Sequence, residues 1–550
     1  MINKIRSLII LSACILAGQN TSLAGTRTER EMFAIAKNKL GLSYNTRSES
    51  IINKLESKPH YNVYGNSESF VIVSRDDSFR PVLAYSDTKY DPEKLPCGME
   101  WWMERITNSM EQGKSAVIIS PIQIPAPVDF FCKAEWGQGA PYNLKCPTFD
   151  GNKAPTGCVA TSMAQIMKYY NYPAQGKGSG YYQKGGSAGR VTEPTTSVYE
   201  WEKMLDKYKG VNNLSEEQSN AISTLLKEAG LASHMNYDET GSGAFETSAA
   251  YGFCNNFSYD SLAMRCYQRQ FFEDKEWMEM IYSELSNKRP ILYFGSTNSQ
   301  GQNGHAFIFD GFDSEGLIHV NWGWNGTGNG YYDISDLNPL DDRGKSMSDH
   351  YNYTQAMVIG FKCQSEPDPS EYFESFIATS SYSMAFSKLI TKVTVDEFFN
   401  YNFLIFYGKI GVYFKSEDGK EDNNRFFDIG EKKGYTIAPL WGISGFSQTI
   451  MTTNIPAGKY TAFFASQAVQ DKEPVPVRSI GGTFCYYVTV NDDGSVEASE
   501  QEKYVTNVSG VTSRQCHSDV FFDLKGRNLG KDKSVLPKGL YIIDGKKFVK

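Results

Sequence analysis

The feature that most constrains the fold of this chain is a single cysteine at the start of a predicted helix. Thr156 and Gly157 form a small, flexible pair directly before Cys158. Small, apolar and aromatic side chains then recur at spacings of three and four residues, the period of one buried helical face. They are Ala160, Met163, Ala164, Met167 and Tyr170. Pro173 ends the pattern, because proline cannot continue a helix. The stretch therefore predicts a core helix that carries a thiol at its N-terminus.

A thiol in this position has two interpretations. Unpaired backbone N–H groups and the positive end of the helix dipole favour the thiolate, which is the nucleophilic form. Buried cysteines without chemical function are also common. The helix alone leaves both interpretations open for Cys158.

Length and charge restrict the class of protein. A chain of 550 residues is too long for one core, so two to four domains are expected. The net charge of -8 and the lack of a basic cluster argue against nucleic acid as a partner. After residue 20 no apolar run reaches the ~18 residues that a membrane-spanning helix needs.

The N-terminus predicts export. Lys4 and Arg6 precede an apolar run and a small-x-small site that ends at Ala24, so residues 1–24 have the pattern of a signal peptide. We therefore expect a secreted or cell-surface protein. The residues that end at Cys14 also resemble a lipobox, and lipid anchoring at that cysteine is the alternative. Only in that alternative do we expect contact with a membrane.

Composition divides the remaining chain into four parts. A helix, short strands and a second helix predict an α+β unit over residues 25–120. A proline-rich joint at 114–130 is a typical site of proteolysis, so this unit is interpreted as removable. Residues 121–363 contain the motifs with chemical potential. A polar linker then leads to a β-sandwich-type domain at 371–495 and to a tail at 500–550.

Within the central part, apolar spacing predicts helices and strands around the motifs. Helices are expected near residues 204–208, 221–229 and 277–285. Strands are expected at 291–294, 304–311 and 317–321.

A nucleophilic cysteine needs a base and a group that orients the base. His305 follows Gly304 at the start of a predicted strand, where a substrate could approach it, whereas His319 lies mid-strand and is expected to pack in the sheet. A loop of three or five residues centred on Asp313 would place His305 opposite Asn321. Their Cβ atoms would then be ~5 Å apart, which suits an amide that orients an imidazole.

Three further side chains complete the candidate site. Gln138 could join the backbone N–H of Cys158 in an oxyanion hole. Trp322 could shield His305 and Asn321 from water, although a core tryptophan is an equally good interpretation. Ser242 lies in a glycine-rich turn and could contact a peptide substrate.

Other chemistries find less support. Residues 185–189 fit the G-x-S-x-G pattern, but they lack the strand before and the helix after that a serine nucleophile requires. No C-x-x-C or H-E-x-x-H spacing predicts a metal, and no cofactor is expected.

The number of cysteines is odd once the signal is removed. Ten cysteines less Cys14 leave nine, so at least one is unpaired or bonded to another chain. Export permits disulfides, and Cys132–Cys146 or Cys254–Cys266 are plausible pairs.

Four separated motifs, which agree in content and spacing, resemble the streptopain-like cysteine proteases over about residues 60–363. They are Trp136-x-Gln138 with Pro141-Tyr142-Asn143, Thr156-Gly157-Cys158-Val159-Ala160 with Ala164 to Tyr169, Gly304-His305-Ala306, and His319 to Trp324 with Asn329-Gly330-Tyr331.

The resemblance implies a papain-like fold, a prodomain that blocks the site, and protein or peptide substrates. It implies that Cys158 is the nucleophile, His305 the general base and Gln138 the oxyanion donor, with Asn321 and Trp322 supporting His305. It also implies an apolar preference beside the scissile residue. The extension at 370–550 has no counterpart in streptopain, and its end resembles the sorting tails of exported Bacteroidetes proteins.

Two other functions fit part of the sequence. A papain-like transglutaminase or amidase would use the same groups, and a surface-binding protein could carry a silent domain of this kind. The presence of Cys158, His305 and Gln138 together favours the endopeptidase, because a silent domain has no chemical need for all three.

Overall fold

The structure is a computed structural model that confirms the α+β class. It describes residues 25–43, 52–111, 122–185, 187–295, 304–334, 355–363, 376–403, 405–430, 434–469, 471–504, 540–543 and 546–549. The predicted signal peptide with Cys14, residues 114–121 of the proline-rich joint and most of the tail lie outside these residues.

Six α-helices lie within the described residues. They are α1 (Glu29–Ser43), α2 (Cys97–Glu111), α3 (Cys158–Tyr170), α4 (Glu216–Ala232), α5 (Glu246–Asn255) and α6 (Asp274–Ser286). The predicted helix near 204–208 is wrong, because only a 3-10 turn at Trp201–Lys203 forms there and Met204 is already extended. The helices expected near 221–229 and 277–285 are confirmed as α4 and α6.

A ten-stranded sheet joins the N-terminal unit to the central part of the chain. Its order is β1 (Asn53–Ser57), β2 (Tyr61–Gly65), β3 (Phe70–Ser74), β4 (Val82–Ser86), β15 (Gly330–Tyr332), β14 (Ile318–Asn321), β13 (His305–Phe312), β12 (Ile291–Gly295), β16 (Gln355–Ile359) and β11 (Arg265–Gln268). The junction is the antiparallel pair of β4 and β15, in which Tyr85 lies opposite Tyr331. The N-terminal unit therefore extends the central sheet.

The helix α3 lies between this sheet and a smaller helical half. Its buried side chains belong to a core shared with α4, α5 and the strands β12, β13 and β16. A four-stranded sheet borders that half in the order β10 (Ser242–Gly243), β9 (Asn236–Tyr237), β7 (Ser179–Lys184) and β8 (Ser187–Pro194). A short hairpin of β5 (Thr148–Phe149) and β6 (Asn152–Lys153) precedes α3 in the chain. The G-x-S-x-G pattern falls in the hairpin of β7 and β8, so it has a strand on both sides.

The C-terminal part folds around its own core, as predicted for a β-sandwich-type domain. Its strands are β17 (Ile377–Thr379), β18 (Tyr382–Phe386), β19 (Ile390–Asn400), β20 (Phe406–Ser416), β21 (Arg425–Asp428), β22 (Tyr435–Ile437), β23 (Gly442–Met451), β24 (Gly458–Ala468), β25 (Val475–Pro476), β26 (Arg478–Ser479), β27 (Gly482–Val490), β28 (Val496–Ala498) and β29 (Glu502–Lys503). The core includes Val395, Val412 and Phe464. In the tail, β30 (Leu540–Ile543) pairs with β31 (Lys546–Val549).

Charged groups fasten this domain to α6. The two guanidinium nitrogens of Arg478 donate to Glu276 at 2.9 and 3.0 Å. Lys503 lies 3.1 Å from Glu273, and the Arg478 guanidinium also lies over the ring of Phe272.

The cysteines and the helices of the described residues bear on two further expectations. Each of their cysteines is a free thiol, so the pairs Cys132–Cys146 and Cys254–Cys266 are wrong. No helix among them has the length and apolar character needed to cross a membrane.

Candidate active site

Cys158 is the first residue of α3, as the sequence predicts. Gly157 before it has a φ of 85°, and a Cβ there would lie 2.8 Å from the sulfur of Met235 and 2.9 Å from the carbonyl oxygen of Ser242. Only glycine fits this approach. The Cys158 side chain is partly exposed, and its Sγ accepts a hydrogen bond from the backbone N–H of Ala306 at 3.3 Å.

His305 is the first residue of β13, directly before Ala306, and it pairs with Gly295 of β12. α3 and β13 therefore bring the predicted nucleophile and the predicted base to one place. The Nδ1 atom of His305 lies 3.3 Å from the Sγ of Cys97, the first residue of α2. Among the described residues no hydrogen bond joins His305 to Cys158.

Burial keeps the three groups neutral. It raises the pKa of the Cys158 thiol above its ordinary value, although the N–H groups of Ala306 and Val159 lower it in part. Burial also lowers the pKa of His305 from 6.5 to about 4. Burial, with the nearby Cys158, raises the pKa of Cys97 from 9.0 to about 12. The thiolate expected from the helix terminus is therefore not favoured in this state, because desolvation outweighs the helix N–H groups.

Asn321 does not face His305, so that predicted cross-strand pair is wrong. Phe312 pairs with Ile318 across a five-residue loop, and a register shift follows between Phe309 and Gly311. Asn321 therefore lies opposite Ile308. Its amide nitrogen donates to the carbonyl oxygen of Ala134 at 2.8 Å and its oxygen accepts from the N–H of Gly323 at 3.1 Å.

Trp322 is buried beside the site. Its ring packs on Phe307 and Tyr332, and its indole N–H donates to the carbonyl oxygen of Gly328. A Cβ on Gly98 of α2 would lie 2.7 Å from this ring. The N-terminal unit and the central part thus meet at Trp322.

Gln138 lies next to the segment that leads into α3. Its carbonyl oxygen accepts from the N–H of Thr156, two residues before Cys158. Its side chain is partly exposed and makes no hydrogen bond to another described residue. The role of Gln138 as oxyanion donor stays a prediction.

Ser242 and Gly304 also lie at this place. The Ser242 hydroxyl donates to the carbonyl oxygen of Pro155 at 2.8 Å, so it is occupied in this state. Gly304 is exposed and directly precedes His305. No group of three His, Cys, Asp or Glu side chains in the described part of the chain is arranged to hold a metal.

Known families match two parts of the chain. Residues 136–332 match the Peptidase C10 family, and residues 22–110 match the Spi protease inhibitor family. Streptopain of Streptococcus pyogenes is 30% identical over 325 residues, which cover 55% of this chain and 80% of streptopain. The chain belongs to the streptopain family of cysteine endopeptidases.

Two further relatives agree with this assignment. A cysteine-to-alanine mutant of a prointerpain A fragment from Prevotella intermedia is 31% identical, with a TM-score of 0.50, and covers 57% of this chain and 100% of the fragment. The thiol protease/hemagglutinin PrtT of Porphyromonas gingivalis is 30% identical over 327 residues. Those residues are 56% of this chain but only 37% of PrtT.

As a member of the streptopain family with an inhibitor-type N-terminal unit, the chain is a zymogen. Sequence reasoning missed the residues through which that unit reaches the site. Cys97 contacts His305, and Trp101 packs against Gly295 and Phe307. The odd cysteine count was the only signal, and it did not single out Cys97, because the contact joins residues 208 positions apart.

Proposed function

We propose that this protein is an exported cysteine endopeptidase in which Cys158 attacks the substrate and His305 acts as general base. The observation that carries the proposal is the junction of α3 and β13, where the N–H of Ala306 bonds to the Cys158 sulfur. This bond holds the sulfur of Cys158 against Ala306, the residue that directly follows His305. Since the amide oxygen of Asn321 is occupied by Gly323, we assign no orienting role to Asn321 in the latent enzyme.

Catalysis begins once the Cys97 sulfur leaves His305. The imidazole takes the proton of the Cys158 thiol, and the thiolate attacks the scissile carbonyl carbon. The N–H of Cys158 and the side-chain amide of Gln138 stabilise the resulting oxyanion. His305 returns the proton to the leaving amine, and water, deprotonated by His305, then hydrolyses the thioester. We assign to Trp322, which is buried against Phe307, the role of keeping water from His305.

Cys97 supports a mechanism for latency. A ring nitrogen that contacts the Cys97 sulfur is not available to the Cys158 thiol, and α2 is packed on Trp322 at the same time. The N-terminal unit therefore holds the base as well as covering the site.

Substrate binding is assigned to Ser242 and Gly304, with an apolar side chain preferred next to the scissile residue. Gly304 leaves the approach to His305 open. Phe245, three residues after Ser242, exposes 68% of its surface, and we propose it as an apolar contact for that side chain.

Product analysis tests the reaction class. The activated full chain is incubated with a denatured protein, with Cys158→Ala as the inactive variant and Cys485→Ala, a buried thiol in the sandwich, as the matched control. New peptide N-termini from wild type and Cys485→Ala alone support an endopeptidase. Release of ammonia without chain cleavage would instead show an amidase or transglutaminase, and no chemistry at all would leave a binding protein.

We also propose self-processing in the proline-rich joint at 114–130. The test compares trimming of purified wild type with that of Cys158→Ala in the absence of other proteases. Equal trimming of both proteins would exclude autocatalysis.

Export through residues 1–24 is proposed on the pattern of Lys4, Arg6 and Ala24. N-terminal sequencing and intact mass of the mature protein would separate cleavage after Ala24 from lipid attachment at Cys14.

A further inference from the structure

A buried glutamine on the catalytic helix contacts both segments that flank the nucleophile. Gln165 lies seven residues after Cys158 on α3, so both residues fall on similar sides of the helix. Its side chain is fully buried. Its Oε1 accepts from the backbone N–H of Trp136 at 3.0 Å and from the side-chain amide of Asn321 at 3.2 Å.

The first bond holds the segment that leads to Gln138. Trp136 precedes Gln138 by two residues, and its N–H has Gln165 as its acceptor. The carbonyl oxygen of Gln138 is held by Thr156 at the other end of the same short segment. The position of Gln138 relative to the N–H of Cys158 is therefore fixed from two points, and one of them is Gln165.

The second bond holds the turn that carries Trp322. Asn321 donates to Gln165 and to Ala134, and its own oxygen accepts from the N–H of Gly323. Gly323 has a φ of 72°, so this bond stabilises a sharp bend directly after Trp322.

The Nε2 atom of Gln165 shows that the oxygen of this amide makes the contacts. Its Nε2 is buried and has no hydrogen-bond partner among the described residues. The amide cannot be turned around, since Trp136 and Asn321 are both donors and need the oxygen. A buried donor without a partner is unfavourable, so the site keeps glutamine for its acceptor oxygen.

We propose that Gln165 is a positioning residue that sets the oxyanion hole by joining the catalytic helix to the segments of Gln138 and Trp322. An oxyanion hole depends on donors held at a fixed separation, and small displacements of such groups lower the rate strongly. The inference rests on the proposed roles of Cys158 and Gln138.

The test separates oxyanion geometry from reactivity of the thiol. Full-length wild type, Gln165→Met and Gln165→Glu are trimmed with immobilised trypsin, which is then removed, and active sites are counted by alkylation of Cys158. Met fills the space without an acceptor, whereas Glu keeps an acceptor oxygen and replaces the unpartnered Nε2. Per active site, we expect kcat of Gln165→Met to fall at least about tenfold and the Ki of a peptide aldehyde to rise similarly. Its alkylation rate with iodoacetamide, a reaction that needs no oxyanion hole, should stay within about twofold of wild type.

Two further variants test whether Gln165 acts only through the stability of the fold. Met167→Ala on the same helix creates a cavity without touching the bridge, and it should leave kcat and aldehyde affinity per active site unchanged. Gln165→Glu should recover kcat to within about fivefold of wild type. An unchanged kcat in Gln165→Met, a parallel loss of alkylation, or no recovery in Gln165→Glu would each overturn the proposal. A Gln138→Ala variant with full kcat would instead reject the assignment of Gln138, so the two failures are distinguishable.

Discussion

At the residue scale, the thiols of Cys97 and Cys158 both lie close to the backbone or the ring of His305 and Ala306. Cys97 contacts His305, whereas Cys158 is bonded to the N–H of the next residue, Ala306. The proposed mechanism requires the opposite pairing, with Cys158 as the partner of His305. We therefore propose that latency depends on which sulfur the imidazole contacts.

Replacing Cys97 should weaken latency before any cleavage. In Cys97→Ala, His305 loses its sulfur partner and can turn towards Cys158, so iodoacetamide should alkylate Cys158 in the uncut chain at least about tenfold faster. The measurement is the mass of the Cys158 peptide over time. The control is Cys485→Ala, which removes a buried thiol far along the chain. Equal rates in both variants would show that Cys97 has no part in latency.

Acid should destabilise the latent state through His305. Its pKa is about 4 in the folded zymogen, below the ordinary 6.5, so the unfolded chain binds more protons between these values. The contribution to stability is therefore complete above about pH 6.5 and is lost as the pH falls towards 4.

The measurement uses the inactive Cys158→Ala chain, with and without His305→Gln. Between pH 7.5 and 5, the Tm of the single variant should fall about 2 to 4 °C more than that of the double variant. Identical shifts would mean that His305 does not titrate in this way.

At the scale of elements, the pairing of β4 with β15 depends on a glycine. A Cβ on Gly330 would lie 2.8 Å from the Cβ of Ser86 and even closer to the carbonyl oxygen of Tyr85. Across the junction the rings of Tyr85 and Tyr331 stack with centroids 5.0 Å apart. The close approach is possible because position 330 has no side chain.

Gly330→Val should separate these strands without unfolding the chain. In the Cys158→Ala background, hydrogen exchange of the amides of residues 84–86 of β4 that bond to β15 should accelerate at least about tenfold, because those ladder bonds are lost. Gly189→Val is the matched control, since a Cβ there meets no atom within 4 Å. The same protection of β4 in both variants would contradict this account of the junction.

Sequence reasoning located the elements of the site better than their mutual register. Local spacing predicted α3, the strand that begins at His305 and the burial of His319, because a periodic pattern reports one buried face. It placed Asn321 opposite His305 because it centred the loop on Asp313, whereas the loop spans residues 313–317 and is centred on Glu315, a difference that turn composition does not reveal. The contact of Cys97 was out of reach, since it depends on how α2 packs on a strand 208 residues further along.

At the scale of the whole molecule, the sandwich is docked by charge as well as by apolar packing. Arg478 makes two bonds to Glu276, and Phe376 of the sandwich packs on Phe271 and Phe272. Burial alone would raise the pKa of Glu276, but the bonds and charge of Arg478 hold it below its ordinary value. The carboxylate therefore remains ionised and bound at neutral pH.

Arg478→Met should loosen this docking by about 1.5 to 3 kcal/mol, the range for hydrogen bonds to charged groups. Calorimetry should then show the sandwich melting apart from the catalytic unit. Arg425→Met is the control, because that side chain bonds only to nearby carbonyl oxygens in its own loop. A single transition with an unchanged midpoint in Arg478→Met would mean that apolar packing alone holds the domain.

The sheet that runs through β4 and β15 has a consequence for the order of events in activation. Cutting the connection between residues 111 and 122 removes no hydrogen bond of that sheet and leaves the contact of Cys97 with His305 in place. A nicked molecule is thus still an inhibited complex of two fragments, and its inhibitor is released only when the strands dissociate. Activity should therefore lag behind cleavage with a first-order delay that is independent of enzyme concentration, and dilution should make the release irreversible.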